Sequence, residues 1–171
     1  MPVKLPIVNS LGFYEIRMES IGGFGANLAG KILGEAGVLG MGLNGSNFSS
    51  YGSEKKGSPV KAFVRLCDPD QEVRINSPVT DPHLLVIFLE SMFDFPGLLS
   101  GVSRATTVVV NTAMDPVAAR DRMRLQAGTV VTMDAMKIAV EEKTRVNTAL
   151  LGTIAAVSGF IDPDAVKAYI E

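Results

Sequence analysis

The sequence predicts an α/β fold, a mostly parallel sheet with helices on both sides. Three observations predict it. Short alternating or β-branched runs recur along the chain, and helical periodicity fills the stretches between them. One run, residues 83–89 (HLLVIFL), is continuously apolar, as expected of a strand covered on both faces. With 171 residues, 47% of them hydrophobic and 20% charged, the chain is expected to fold as a single domain over 1–171.

The elements follow in order. Ile16 and Met18 alternate with Glu15, Arg17 and Glu19, the pattern of a half-buried strand. A glycine-dense turn then leads into a helix with apolar positions at Ala29, Ile32, Leu33 and Ala36. Residues 40–59 (GMGLNGSNFSSYGSEKKGSP) read as a long polar loop of the kind that is usually functional or mobile. Val60, Ala62, Val64 and Leu66 alternate with Lys61, Phe63 and Arg65 as a second half-buried strand. Asp68-Pro69-Asp70 reads as a hairpin turn between two short extended pieces, so the sheet is expected to be mixed. Residues 106–111 and 128–133 are β-branched strand candidates. Helical patterns cover 116–125 and the positions Val146, Leu150, Ile154 and Val157. Asp115-Pro116 and Asp162-Pro163 supply cap and first-turn signals, the second for a short last helix over 164–170. In residues 91–101 (SMFDFPGLLSG), Phe93, Phe95 and Leu98 read either as an exposed interface or as a locally packed loop.

Composition narrows the function classes. A net charge of −2 argues against a dedicated nucleic-acid or anionic-membrane binder. Trp is absent, so a base-stacking platform is not expected. One cysteine, Cys67, excludes an internal disulfide and any all-cysteine metal cluster built by this chain alone. The N-terminal stretch lacks the apolar core of a signal peptide, and the longest apolar runs are too short to span a bilayer. A reducing, cytoplasmic setting is therefore expected. His83, the lone histidine, follows Asp81-Pro82 and reads as a strand cap rather than a proton shuttle. No metal site, Cys nucleophile or catalytic acid–base pair is recognisable.

The chemistry concentrates in residues 15–31 (EIRMESIGGFGANLAGK), where a strand enters a turn built on Gly22, Gly23 and Gly25. Glycines there permit φ > 0 and close approach of another molecule to the main chain. The first amides of the following helix, backed by the helix dipole, make a seat for an anion. Two common nucleotide motifs fit poorly. Gly23-Phe24-Gly25-Ala26-Asn27-Leu28 lacks the third glycine of a dinucleotide fingerprint. Gly25 to Lys31 has P-loop spacing, but Ile32 stands where the metal-binding hydroxyl belongs. The plain alternative is a tight turn packed against a neighbour. In the second loop, Lys55 and Lys56 could clamp a phosphate as point charges or simply be solvated surface.

Four stretches in order carry a family resemblance: IGGFGANLAGKILGEAG, YGSEKKGSPVKAFVRL, the INSP–TDPHLLVIF segment, and Arg145-Val-Asn-Thr-Ala-Leu-Leu-Gly152. Over roughly residues 15–160 the chain resembles the gamma subunit of 2-oxoacid:ferredoxin oxidoreductases, a unit also fused into pyruvate:ferredoxin oxidoreductase. The resemblance implies a three-layer α/β/α domain with a mixed, mostly parallel sheet. It implies one part of a complex that oxidatively decarboxylates a 2-oxoacid in anaerobic metabolism, with alpha, beta and delta-type subunits as partners. Thiamine diphosphate, Mg and [4Fe–4S] clusters would sit on those partners and pass electrons to ferredoxin or another acceptor, so the chain alone would not be catalytic. Where coenzyme A is used, the chain would help bind it through Gly22, Gly23, Gly25 and Asn27, with Lys55 and Lys56 near the phosphates. Lys56-Gly57-Ser58 stands where many gamma subunits carry Arg-Gly-Gly, and the paired lysines resemble the pyruvate enzyme's version. Two other readings stay open: a stand-alone P-loop-like or dinucleotide-binding enzyme, and a purely structural subunit of a CoA-free relative acting on oxalate or aryl glyoxylates.

Overall fold

The computed structural model describes residues 3–52 and 57–170. Among these residues the chain forms β1 (Tyr14–Ile21), α1 (Ala26–Glu35), β2 (Asn44–Tyr51), β3 (Pro59–Cys67), β4 (Leu84–Ile87) and β5 (Thr107–Asn111). Then follow α2 (Pro116–Met123), β6 (Thr129–Met133), α3 (Ala135–Glu141), α4 (Val146–Ser158) and α5 (Pro163–Lys167). One sheet contains all six strands in the order β2-β3-β1-β4-β5-β6. β1, β4, β5 and β6 run parallel, while β3 is antiparallel to both β1 and β2. The sheet is thus mixed and mostly parallel, as expected.

Side-chain alternation along β4 sorts the core into two faces. Leu84 and Val86 join Ile16, Met18, Val64 and Leu66 under α1 and α4. Leu85 and Ile87 join Val108, Val110 and Val130 under α2 and the 92–98 segment. Helical layers therefore lie on both faces, which is the three-layer arrangement. All four β4 side chains are buried, which accounts for the unbroken apolar run in the sequence. Asp115 Oδ1 accepts from Val117 N at 2.9 Å and Ala118 N at 3.1 Å, and Asp162 Oδ1 accepts from Asp164 N at 2.9 Å. Both cap signals mark true helix starts. α3, which the sequence pattern did not single out, starts the same way, with Asp134 Oδ1 accepting from Lys137 N at 2.9 Å.

Three expectations are corrected, and one open alternative, at residues 91–101, is resolved. The polar stretch 40–59 is not one long loop, because residues 44–51 form β2, paired in register with β3 from Asn44↔Cys67 to Tyr51↔Val60. Backbone pairing and the Phe48–Phe63 contact, at 4.9 Å between ring centroids, override the poor strand propensity of Asn, Gly and Ser. Asp68-Pro69-Asp70 does turn, with Gln71 N donating to Asp68 O at 3.0 Å, but no returning strand follows. The antiparallel partners of β3 are β1 and β2. Phe93 and Leu98 are buried in the second core face, so their segment is locally packed. Finally, the charged side of β1 and β3 does not face water. Glu15, Arg17, Glu19 and Arg65 are all buried.

That charged face is paired from within. Arg65 Nε donates to Glu15 Oε1, and Asn9 Nδ2 donates to Glu15 Oε2 at 3.1 Å. Glu19 Oε1 lies 3.1 Å from both Arg17 Nε and Lys61 Nζ. Burial raises the Glu19 carboxyl above the ordinary carboxylate range, and Lys61 and Arg17 pull it back. Arg17 donates to four carbonyls, those of Val79, Thr80, Leu98 and Ser100, at 3.3, 3.1, 2.9 and 2.8 Å. One guanidinium thereby fastens two covering segments onto the central strand.

Candidate functional site

α1 follows β1 onto one face of the sheet, whereas the segment after β4 crosses to the other. The carboxyl ends of β1 and β4 thus form a topological switch point, where open α/β sheets leave a crevice. The glycine turn lies there, at the end of β1. Gly23 has φ 99° and Gly25 has φ 84°, backbone that side-chain-bearing residues rarely adopt. Gly22 does not share that conformation. Its role is space, since a Cβ built on Gly22 or Gly23 meets nothing within 4 Å.

Gly25 caps α1, and no side chain caps the first turn. The amides of residues 26–28 keep their donor capacity and the positive end of the helix dipole behind them. A Cβ on Gly25 would stand 2.8 Å from Asn147 Nδ2, so α4 closes directly onto the turn. Ile32 is buried against the core, consistent with its failing as a P-loop hydroxyl position.

The predicted residues Gly22, Gly23, Gly25 and Asn27 line one cleft of about 310 Å³, together with Tyr51 and Val60. Asn27 Oδ1 accepts from Ser49 Oγ at 2.8 Å, which ties the start of α1 to β2. Lys55 and Lys56 lie outside the described residues, a few positions after Tyr51. A second cleft of about 480 Å³ shares Gly23, Gly25 and Leu28 and is completed by residues of α3 and α4, including Met136, Val140, Arg145 and Asn147. Sequence reasoning gave these residues no role. The Arg-x-Asn-Thr element that opens α4 was the available signal.

His83, Tyr14 and Cys67 are held in structural surroundings. His83 Nδ1 accepts from Glu15 N at 3.0 Å, and its ring stacks on Tyr14 at 5.1 Å. Burial lowers the His83 pKa, partly opposed by Glu15. The neutral imidazole is a strand cap, as expected. Tyr14, buried beside it, is pushed up to about 12. Cys67 is buried, and burial and then Asp68 raise its thiol pKa, the reverse of what a reactive thiolate needs. Among the described residues, no three His, Cys, Asp or Glu side chains are placed to hold a metal ion. No described helix is long and apolar enough to cross a membrane.

Residues 15–171 match the family model for pyruvate ferredoxin/flavodoxin oxidoreductase. The chain belongs to that family. It is 32% identical over 161 residues to pyruvate synthase subunit PorC of Thermotoga maritima, covering 93% of this chain and 81% of that one. It is 30% identical over 159 residues to the common subunit gamma of the pyruvate/ketoisovalerate oxidoreductases of Thermococcus litoralis, covering 92% and 84%. The crystal structure of pyruvate oxidoreductase subunit PORC from Thermotoga maritima superposes with a TM-score of 0.79 at 30% identity, over 92% of this chain and 83% of the other. Within this family of oxidoreductases the chain is a gamma-type member, and the stand-alone P-loop and dinucleotide readings are not favoured.

Proposed function

We propose that this chain is the gamma subunit of a thiamine diphosphate- and iron–sulfur-dependent 2-oxoacid:ferredoxin oxidoreductase in the cytoplasm, and that it helps seat coenzyme A. Its partners are the alpha, beta and delta-type subunits, which carry the thiamine diphosphate, Mg and [4Fe–4S] clusters. One buried cysteine with a raised pKa does not suit this chain to holding a cluster itself. The observation that carries the reading is the open glycine turn at the switch point, with free helix amides over an uncapped α1.

The residues present fit coenzyme A. Bare backbone at Gly22 and Gly23 admits a chain lying against the turn, and the α1 amides favour a phosphate. Asn27 and Tyr51 wall the same cleft, and Lys55 and Lys56, four and five positions after Tyr51 in the sequence, would add positive charge for the phosphates. When bound, coenzyme A supplies the thiol that accepts the acyl group. This chain's part is to grip and orient its carrier, which lowers the entropy cost of bringing the thiol to a partner's active site. The test is affinity for coenzyme A in the assembled, co-purified complex. Lys55→Ala with Lys56→Ala is expected to weaken it by roughly ten-fold or more, because charge-assisted phosphate contacts are lost. Unchanged affinity contradicts the site, and failure to co-purify with thiamine- and iron–sulfur-bearing subunits contradicts the function.

A further inference from the structure

Apart from the two clefts at the glycine turn, a third cleft of about 290 Å³ opens at the other end of β1, beside Glu15. The length of the strand separates it from the turn, roughly 20 Å at the usual rise per residue. We propose that this cleft binds a small zwitterionic α-amino acid with an apolar side chain. Arg65 receives the carboxylate at the buried wall, and Asp81 receives the ammonium at the mouth. The site uses no residue of the glycine turn and stands apart from the coenzyme A reading.

The cleft is built on a buried cation. Arg65 lines it and is 3% exposed, beside Glu15 at 7%. The β1–β3 register sets the two opposite each other, and Arg65 Nε donates to Glu15 Oε1. The guanidinium carbon lies 5.9 Å over the Phe48 ring, which fixes its flat face. Nη1 reaches only the Ile75 carbonyl, at 3.5 Å, a long and weak contact. Nη2 has no acceptor among the described residues, yet it is not sealed inside the protein. Donors held in a fixed fork match a carboxylate, and leaving them without an acceptor is costly. Both Glu15 oxygens are already paired, Oε1 with Arg65 and Oε2 with Asn9 Nδ2 at 3.1 Å. A bare anion does not suit the rest of the lining, where one cation, Arg65, stands against two carboxylates, Glu15 and Asp81. Asp81 is exposed, and among the described residues no cation lies within ion-pair distance of it. Its Oδ2 accepts from Thr80 Oγ1 at 2.7 Å, which leaves Oδ1 for a ligand. A buried cation and an exposed carboxylate in one cleft match a molecule carrying the opposite charges, and an α-amino acid carries both on one carbon. Leu11, Ile75 and Pro78 add carbon surface for its side chain, and the small volume limits its size.

Binding is measured on the assembled complex by equilibrium dialysis, with labelled L-valine as the probe. Two competitors each lack one charge: isovalerate has no ammonium, and isobutylamine has no carboxylate. L-Valine is expected to bind saturably and roughly ten-fold or more tightly than either competitor. Asp81→Asn keeps an acceptor for Thr80 and is expected to weaken L-valine roughly ten-fold while leaving isovalerate unchanged. Arg65→Lys keeps a cation beside Glu15 but loses the fork, so it is expected to weaken L-valine and isovalerate alike. Asp81 is exposed, so its variant decides the matter even if Arg65→Lys fails to fold. Absence of saturable L-valine binding overturns the inference. So does L-valine binding unchanged in Asp81→Asn, which puts the probe elsewhere in the complex. Isobutylamine competing as well as L-valine also overturns it, because the cleft is then a plain cation site. Coenzyme A affinity stays as in the wild type in Asp81→Asn, so the glycine-turn reading stands or falls separately.

Discussion

Arg17→Met is expected to be among the most damaging single substitutions in this chain. The wild-type guanidinium is buried and serves four carbonyls on two separate segments, 79–80 and 98–100. Methionine fills similar space but donates nothing. Four acceptors left without donors, at about 1 kcal/mol each, cost about 4 kcal/mol. Breaking a buried ion pair by removing one partner gives a similar figure, about 3–5 kcal/mol. Glu19 contributes to that cost, since its Oε1 keeps only Lys61 at 3.1 Å once Arg17 Nε is gone. The assay is urea unfolding followed by circular dichroism, with the double variant Arg17→Met, Glu19→Gln beside the single one. The single variant should lose about 4 kcal/mol, a large part of a typical domain's 5–15 kcal/mol. The double variant should recover part of that loss, because the buried carboxylate left with Lys61 as its one cation is neutralised. A single-variant loss below about 1 kcal/mol, or a double variant that is simply additive, refutes the reasoning.

Two further substitutions test the site's scaffold. His83 is neutral in the fold because Nδ1 accepts a backbone hydrogen bond, and burial depresses its pKa. A base whose folded pKa is depressed takes up its proton more readily when unfolded. Its share of stability is therefore complete above the ordinary histidine value of about 6.5 and is lost as pH falls below it. His83→Asn keeps an acceptor but does not titrate, so its urea midpoint should fall less between pH 7.5 and 5.5 than the wild type's; an equal fall contradicts the assignment. Gly25→Ala forces a side chain into φ 84° and within 2.8 Å of Asn147 Nδ2, and should cost about 2 kcal/mol or more by the same unfolding assay. A neutral effect contradicts the close contact between α1 and α4.

Much of this fold is legible in the chain because its signals are local. The run at 83–89 needs no partner to announce a doubly covered strand, and Asp115 and Asp162 announce their helices within three residues. β2 is not legible in that way. Its sequence, NGSNFSSY, has no β-branched residue and is mostly Asn, Gly and Ser, and it is a strand because β3 supplies a backbone ladder on one side and Phe63 packs on Phe48. Burial of the charged face also has no local sign. Glu15, Arg17 and Glu19 alternate as a solvent face would, but Arg65 and Lys61 neutralise them across the sheet and the 79–80 and 98–100 segments cover them. The site divides the same way. Its glycine turn stands out in the sequence, whereas Asn147 reaches Gly25 from 122 positions away, and only the fold brings Arg145 to the same cleft.

The central claim is that the glycine turn receives coenzyme A, and Gly22 offers the most direct measurement. Gly22 is exposed, its φ is not in the left-handed region, and a Cβ there meets nothing within 4 Å, so a side chain starts into open space beside the cleft. The dissociation constant of coenzyme A is measured for the assembled complex carrying Gly22→Val, with thermal stability and subunit content measured beside it. The account predicts at least roughly a ten-fold loss of affinity, with stability and assembly unchanged. A variant that binds coenzyme A as tightly as the wild type contradicts it.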